Sequence, residues 1–490
     1  MILTRSLLAV LLLVAAPAVI VRADIQREDV PLEQIQARRN NDYETMLAFR
    51  PGYTFWRHIF TIPDGSIAFG TASDGRLLVV FPTRGDWIRD ADWKDPSLSN
   101  LLAGRQLPRN LDRRRDLVAG LLEQRVGPVM HNPTRGRFLL PNVRRYGEFV
   151  GEWAAIYERF GVPAEIGLAQ AILESGFNPT RRSEARAVGF CQWLARNWTR
   201  LNRLSPHVIE GHNQTTQAPY CAAYLSVLAT KYQSFIPALS EHNSGGTNVG
   251  RTLINGERLG GEEVRDQYFL GSRFARDLRR ISLYGFRDIY RTYGPRSYLY
   301  AEMVFGNAVN VTNIIATTPQ TAVHAMRTTR AIPVAEIARR TKLSADEIRR
   351  YNPAALRRVP ARATLYLPMY VKEFGRDVAF WHHPASEAYA EVLEDFVSLD
   401  ASVEEWDDPS FAATLQAFQK RFQATKTEEG LVMATVLEYA MEEAYTSSRN
   451  AILAEYRASA KIRQLFDRAV VERAAAGLLR ASPSTGDATQ

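Results

Sequence analysis

Cysteine is almost absent from this chain: Cys191 and Cys221 are the only two in 490 residues. That excludes a small scaffold held together by several disulfides and leaves no thiolate cluster for zinc. An oxidising compartment would let the two pair, while two separate buried thiols fit the sequence equally well. Only eight His are present, scattered, with no HExxH and no CxxC spacing, so no metal site is expected and no motif implies a cofactor. Lysine is also scarce. Seven of the 61 basic residues are Lys and the remaining 54 are Arg, spread along the chain without a dense run. A formal charge of +8 spread in this way, with no interleaving of basic and aromatic residues, argues against nucleic acid as the partner. Long apolar runs are missing apart from Leu7–Val21, whose 15 residues fall short of the roughly 20 needed to span a bilayer.

That one run has a specific reading. Arg5 precedes it, and Val21 and Ala23 supply small residues before a cut, so residues 1–23 are expected to be a cleaved secretory signal. An uncleaved anchor is the alternative, disfavoured by the shortness of the run. No cysteine stands near the cut to take a lipid, so the expected product is exported, soluble and not a lipoprotein. With 46% hydrophobic and 23% charged residues, the chain can bury substantial cores, and its length allows two to four domains.

Residues 24–140 mix strand and helix signals. Ser66–Gly70 and Arg76–Phe81 flank Asp74-Gly75, which predicts a hairpin, and apolar residues at Leu111, Leu117, Val118, Leu121 and Leu122 predict a helix over 111–124. Residues 141–316 are mainly helical in pattern, 320–370 form a compact segment, and 371–480 read as several helices rich in Ala, Glu and Arg. The tail 481–490 has a disordered composition. No internal repeat is visible.

The segment GVPAEIGLAQAILESGFNP carries the chemistry. Pro163 is expected at the first helical position and Gly176 at the end, which puts Glu174 on the last turn of an almost wholly apolar helix. A carboxyl emerging from such a helix is costly unless it is used or paired, and desolvation would raise its pKa toward that of a general acid. A Glu reaching solvent at a helix end fits the spacing equally. Downstream stand Ser183, Ala185, Gly189 and Gln192, and then Asn243-Ser244-Gly245. This order resembles the lytic murein transglycosylases of the lysozyme-like superfamily. Their pattern is an ES pair, Ser-x-Ala-x-x-x-Gly-x-x-Gln, an Ala-Tyr-Asn-Ser-Gly loop and a later Tyr. Glu174-Ser175 matches the first and the 183–192 stretch the second, while Asn243, Ser244 and Gly245 match the third and Tyr298 stands for the last. Glu241-His242 replaces Ala-Tyr, and Cys191 sits where a bulky apolar residue is usual.

The resemblance covers about residues 145–316. It implies a mainly α protein with a lysozyme-like catalytic domain, acting on peptidoglycan glycan strands in the periplasm. It also implies cleavage to a 1,6-anhydro sugar, with Glu174 as acid and then base and Ser175, Gln192, Asn243 and Tyr298 contacting acid or sugar. Hydrolysis would need a second carboxylate; Glu184 is nearest in sequence but falls where the family has Gly. A non-catalytic wall-binding or scaffold protein is the competing reading. Between Ile332 and Pro368, two short helices, the second opened by a Ser344/Glu347 capping box, and a closing LYLP strand resemble a degenerate LysM module. The family's function there is N-acetylglucosamine binding. The flanking regions 24–140 and 371–480 carry no signature; restricting the cleft, docking wall partners and serving assembly all fit them.

Overall fold

The computed structural model describes residues 33–205, 209–281, 298–375, 381, 383–442 and 449–475. The expected signal at 1–23 and tail at 481–490 lie outside the described residues. The protein is mainly helical with small sheets. Among the described residues, no helix is long and apolar enough to cross a membrane.

The predicted hairpin is present. Strands β1 (Ser66–Thr71) and β2 (Leu77–Pro82) pair antiparallel, with Ile67 opposite Phe81 and Ala68 opposite Val80, and β3 (Asp92–Trp93) and β4 (Val129–Pro133) extend the sheet in the order β3-β2-β1-β4. Alternation along the strands divides the two faces. Ile67, Phe69, Val79 and Phe81 pack with Trp87 and with Val118, Leu121 and Leu122 of helix α3 (Leu111–Val126), while Ala68 and Val80 face the main core. Asn110 caps α3 through the Arg113 N–H.

Five helices build the centre: α5 (Val150–Arg159), α6 (Ala164–Ser175), α8 (Gln214–Tyr232), α9 (Phe235–Ser244) and α12 (Tyr300–Thr317). They are numbered in chain order after α1 (Glu33–Phe49), α2 (Trp56–Thr61) and α4 (Gly136–Tyr146), with α7 (Ala195–Leu204), α10 (Gly246–Arg258) and α11 (Val264–Ile281) between them. Pro163 is the N-cap of α6 rather than its first residue. Its extended ψ of 123° leaves its carbonyl to accept from the Ile166 and Gly167 N–H groups, so the helix starts at Ala164. Gly167 lets α6 approach α5, because a Cβ there would lie 2.1 Å from the Tyr157 ring.

The main core does not stop at 140, 316 or 370. Met46, Phe55, Trp56 and Phe60 enter it from the N-terminal side, Tyr351 and Tyr366 from the segment 320–370, and Tyr389, Phe396, Phe422 and Val436 from the C-terminal helices. The segment 320–370 has outer strands β7 (Val323–Arg327) and β10 (Thr364–Pro368), helices α13 (Val334–Thr341) and α14 (Ala345–Tyr351), and the short pair β8 (Ile332–Pro333) and β9 (Arg358–Val359). The Ser344/Glu347 capping box is made. Ile337, Ile348, Leu365 and Leu367 form a core of its own, while Val323, Ala325 and Tyr366 on the other sheet face join the main core. Asn352 is internal, bonding the Tyr366 N–H and carbonyl at 2.8 and 2.7 Å. Five further helices follow, α15 (Glu387–Val397), α16 (Val403–Trp406), α17 (Ala412–Ala424), α18 (Glu428–Glu442) and α19 (Arg449–Ala458), and then α20 (Ala460–Ala475). Lys231 of α8 meets Asp407 at 2.9 Å, fastening that region to the centre.

Two buried polar clusters fix α9 and α12 from the N-terminal side. Asp42 of α1 is fully buried; it accepts from Ser234 Oγ at 2.7 Å and the Phe235 N–H at 2.6 Å, and pairs with Arg265 at 2.6 Å. It thereby caps α9 from another helix. Glu302 of α12 accepts from Trp56 Nε1 at 3.0 Å and pairs with Arg50 at 3.3 Å. Removing one member of a buried pair leaves an uncompensated charge. Asp42→Ala should therefore cost about 3 kcal/mol or more of stability, read as a lower urea midpoint, whereas a change under about 0.5 kcal/mol would show that Asp42 does not hold α9.

Candidate active site

Helix α6 buries Ile166, Leu168, Ala169, Ala171 and Ile172, so its last turn emerges directly from the core. Gly176 stops it in the left-handed region at φ 57°, and a Cβ there would also lie 2.2 Å from the Phe138 carbonyl oxygen. Only glycine meets both demands. Glu174, two residues earlier, keeps part of its surface open.

Two neutral groups hold its carboxylate. Tyr300 Oη, at the start of α12, donates to Glu174 Oε1, and Asn243, at the end of α9, supplies a second hydrogen bond. Burial pushes the Glu174 pKa up to about 7, and the two hydrogen bonds pull the other way. Among the described residues no charged group adds to these influences. The carboxyl is therefore neither locked as an anion by a basic partner nor sealed from solvent. Burial raises the Tyr300 hydroxyl well above the usual phenol range, so it stays a donor. Gln170, fully buried one helical turn before Glu174, lies against Tyr300.

The tyrosine expected at the acid was Tyr298, and the structure corrects this to Tyr300. Tyr298 lies just before α12 with the Arg276 guanidinium 5.2 Å from its ring centroid. Tyr300 begins the buried stripe that continues through Val304, Ala308 and Val311. That helical spacing was present in the sequence and marks residue 300 as the one facing the core.

Ser175 and Gln192, expected to contact the acid or the sugar, both hydrogen-bond backbone carbonyls. Ser175 is 1% exposed and its hydroxyl donates to the Phe190 carbonyl at 2.9 Å, tying the end of α6 to the following loop. Gln192, at φ 53°, spends its amide N–H groups on the carbonyls of Arg181 and Gly189 at 3.0 and 2.9 Å. Ser183 accepts from the Ala187 N–H at 3.0 Å within the same loop. Cys191 and Cys221 are disulfide-bonded, Cα atoms 6.1 Å apart, which fastens this loop to α8. Glu184 is exposed on it.

The two unusual residues before Asn243 are both engaged. Glu241 accepts from Tyr232 Oη and lies 3.7 Å from Lys231. His242 Nε2 donates to the Cys191 carbonyl at 2.9 Å while its Nδ1 accepts from Trp193 Nε1 at 3.3 Å, and burial lowers its pKa to about 4, leaving the ring neutral. Disulfide, loop and α9 thus form one unit beside the acid. Among the described residues, no group of three or more His, Cys, Asp or Glu could hold a metal ion.

The bridge closes a sequence separation of 30. A cross-link over such a loop restricts the unfolded chain by about 3–4 kcal/mol in the chain-entropy account. Cys221→Ser, compared with the oxidised parent in urea, should show a loss of about that size; an unchanged midpoint would mean that the loop is held without it. Neither a family model nor a curated protein matches this chain.

Proposed function

We propose that this protein is a peptidoglycan lytic transglycosylase. In this reading residues 141–316 form a lysozyme-like domain, and the whole arrangement, with its LysM-like segment, is most similar to membrane-bound lytic murein transglycosylase D. The observation that carries the proposal is the state of Glu174: a partly open carboxyl raised to about 7 by burial and held, among the described residues, by Tyr300 and Asn243.

The mechanism follows from that state. Protonated Glu174 gives its proton to the glycosidic oxygen between N-acetylmuramic acid and N-acetylglucosamine as positive charge develops on the muramic ring. The carboxylate so formed is stabilised by the Tyr300 and Asn243 hydrogen bonds. It then takes the proton of the 6-hydroxyl of the same muramic acid, whose oxygen bonds to the anomeric carbon. Glu174 ends protonated, no water is consumed, and the product carries a 1,6-anhydro ring. Hydrolysis with a partner carboxylate is not supported, since no acidic group acts on Glu174 among the described residues. The expected location is the periplasm.

Incubating the protein and its Glu174→Gln form with sacculi, followed by mass spectrometry of released fragments, tests this. Anhydro ends should appear and fall by about 10²–10⁴-fold in the variant. Reducing ends would replace the reading with hydrolysis, and retained sacculus binding without fragments would leave a wall-binding scaffold.

The pH profile gives a separate check. The proton-bearing form of Glu174 disappears as pH rises through about 7, so kcat/KM should fall on that limb. Tyr300→Phe removes a hydrogen bond that favours the anion, so the limb should move to higher pH while the maximum rate drops. A limb that stays in place in the variant would show that Tyr300 does not act on the acid.

A further inference from the structure

Beside α6 lies an open hollow of about 500 Å³ whose wall includes Ser175, the residue after the proposed acid, together with Phe138, Asp64 and three arginines, Arg135, Arg137 and Arg181. The arginines come from three places in the chain: the turn before α4, the first turn of α4 and the loop after α6. Their convergence is built by specific contacts. Gly136, between the first two, is pressed onto the N-terminal region, where a Cβ would lie 2.4 Å from the Ile62 carbonyl oxygen, and the Arg135 N–H donates to the Ile59 carbonyl at 2.6 Å. Arg181 has its guanidinium 5.1 Å from the Phe138 ring centroid, and its carbonyl is held by Gln192. All three arginines are exposed, and among the described residues none forms an ion pair.

The charge in the hollow is unbalanced. Asp64 is the one acidic group in its wall, and an oxygen of its carboxylate accepts the Arg137 backbone N–H at 2.7 Å. Three guanidinium groups therefore face one carboxylate in a hollow of a size that fits a chain of several residues. Planar guanidinium forks match carboxylates.

We propose that this hollow is a subsite for a chain bearing free carboxylates: the peptide stem attached to the lactyl group of N-acetylmuramic acid. The assignment rests on the peptidoglycan reading for the identity of the chain, and on the arginines and the hollow for its chemistry. It gives the N-terminal region a part in substrate selection, because Asp64 and Arg135 are supplied from there. It also gives Gln192 a function through Arg181, which that residue positions.

Binding of a synthetic acidic stem tetrapeptide to the full chain, followed by titration calorimetry, tests the subsite without any catalysis. The parent, Glu174→Gln and Arg113→Ala, an exposed arginine on α3, should bind alike. The combined Arg135→Ala, Arg137→Ala, Arg181→Ala form, with its melting temperature checked against the parent, should lose about 10²-fold in affinity, and amidating the peptide carboxylates should cost the parent as much. Arg181→Lys, which keeps the charge without the fork, should fall between. Equal binding by the parent and the triple form, or no binding by the parent, overturns the proposal. Binding of inorganic phosphate in place of the peptide overturns it as well, by assigning the hollow to phosphates. Failure of the enzymatic reading is separately visible: anhydro fragments would be missing from every form while peptide binding kept its dependence on the arginines.

Discussion

A carboxyl taken partly out of water and given only neutral partners is the constraint on which the rest of the site depends. Moving a carboxylate into a poorly solvated place disfavours its charge, and a nearby Arg or Lys would cancel that effect by pairing with it. Glu174 has the burial without the cation among the described residues, and so rests near the pH at which giving and taking a proton cost about the same. The two hydrogen bonds are graded to this end. Tyr300 and Asn243 ease the ionised state without making it permanent, as the proposed use of Glu174 as acid and then base would require.

Holding that balance is a tertiary task, since the three residues come from three helices. Each helix is pinned by a different device. The end of α6 is set by Gly176 against the Phe138 carbonyl, α9 is capped at its start by Asp42 of α1, and α12 is drawn to Trp56 and Arg50 through Glu302. At its other end α9 meets the disulfide-bonded loop through His242 and the Cys191 carbonyl. The N-terminal region, which has no catalytic motif of its own, thus supplies the anchors for two of the three helices. Buried ionic groups add little net stability compared with apolar packing, and here they set the position of the helices that meet the acid.

Local features were legible in the residues, and relations between distant segments were not. Asp74-Gly75 marked the hairpin, the spacing from Leu111 to Leu122 marked α3, and Ser344 with Glu347 marked a helix start, because each depends on a few neighbouring residues. Glu174 could be placed on its final turn for the same reason. Choosing between Tyr298 and Tyr300 required knowing where α12 begins, and a two-residue error at a helix end turns a side chain to the opposite face. The partners of Ser175 and Gln192 were hidden for another reason. Both are polar groups beside an acid, and nothing local says that their partners are backbone carbonyls at 175–192 rather than a sugar. The crossing of the main core into 33–61 and 381–439 was equally hidden, since apolar residues do not name the surface they will cover.

A raised pKa does not by itself distinguish the site. Burial also lifts Glu210 and Glu428 to about 7. Glu210 is spent on the junction between α8 and the segment 320–370, accepting from Thr216 Oγ1 at 2.8 Å and the Thr364 N–H at 3.2 Å. Glu428 lines a cavity of only about 30 Å³ there with Arg327 and Tyr366, room for water and not for a sugar. Arg327 also favours the ionised form of both. These carboxyls have burial together with a cation, which suits a seam between parts of the molecule. Glu174 has burial, neutral donors and part of its surface open. It is this combination that separates a group free to exchange protons from one that holds two segments together.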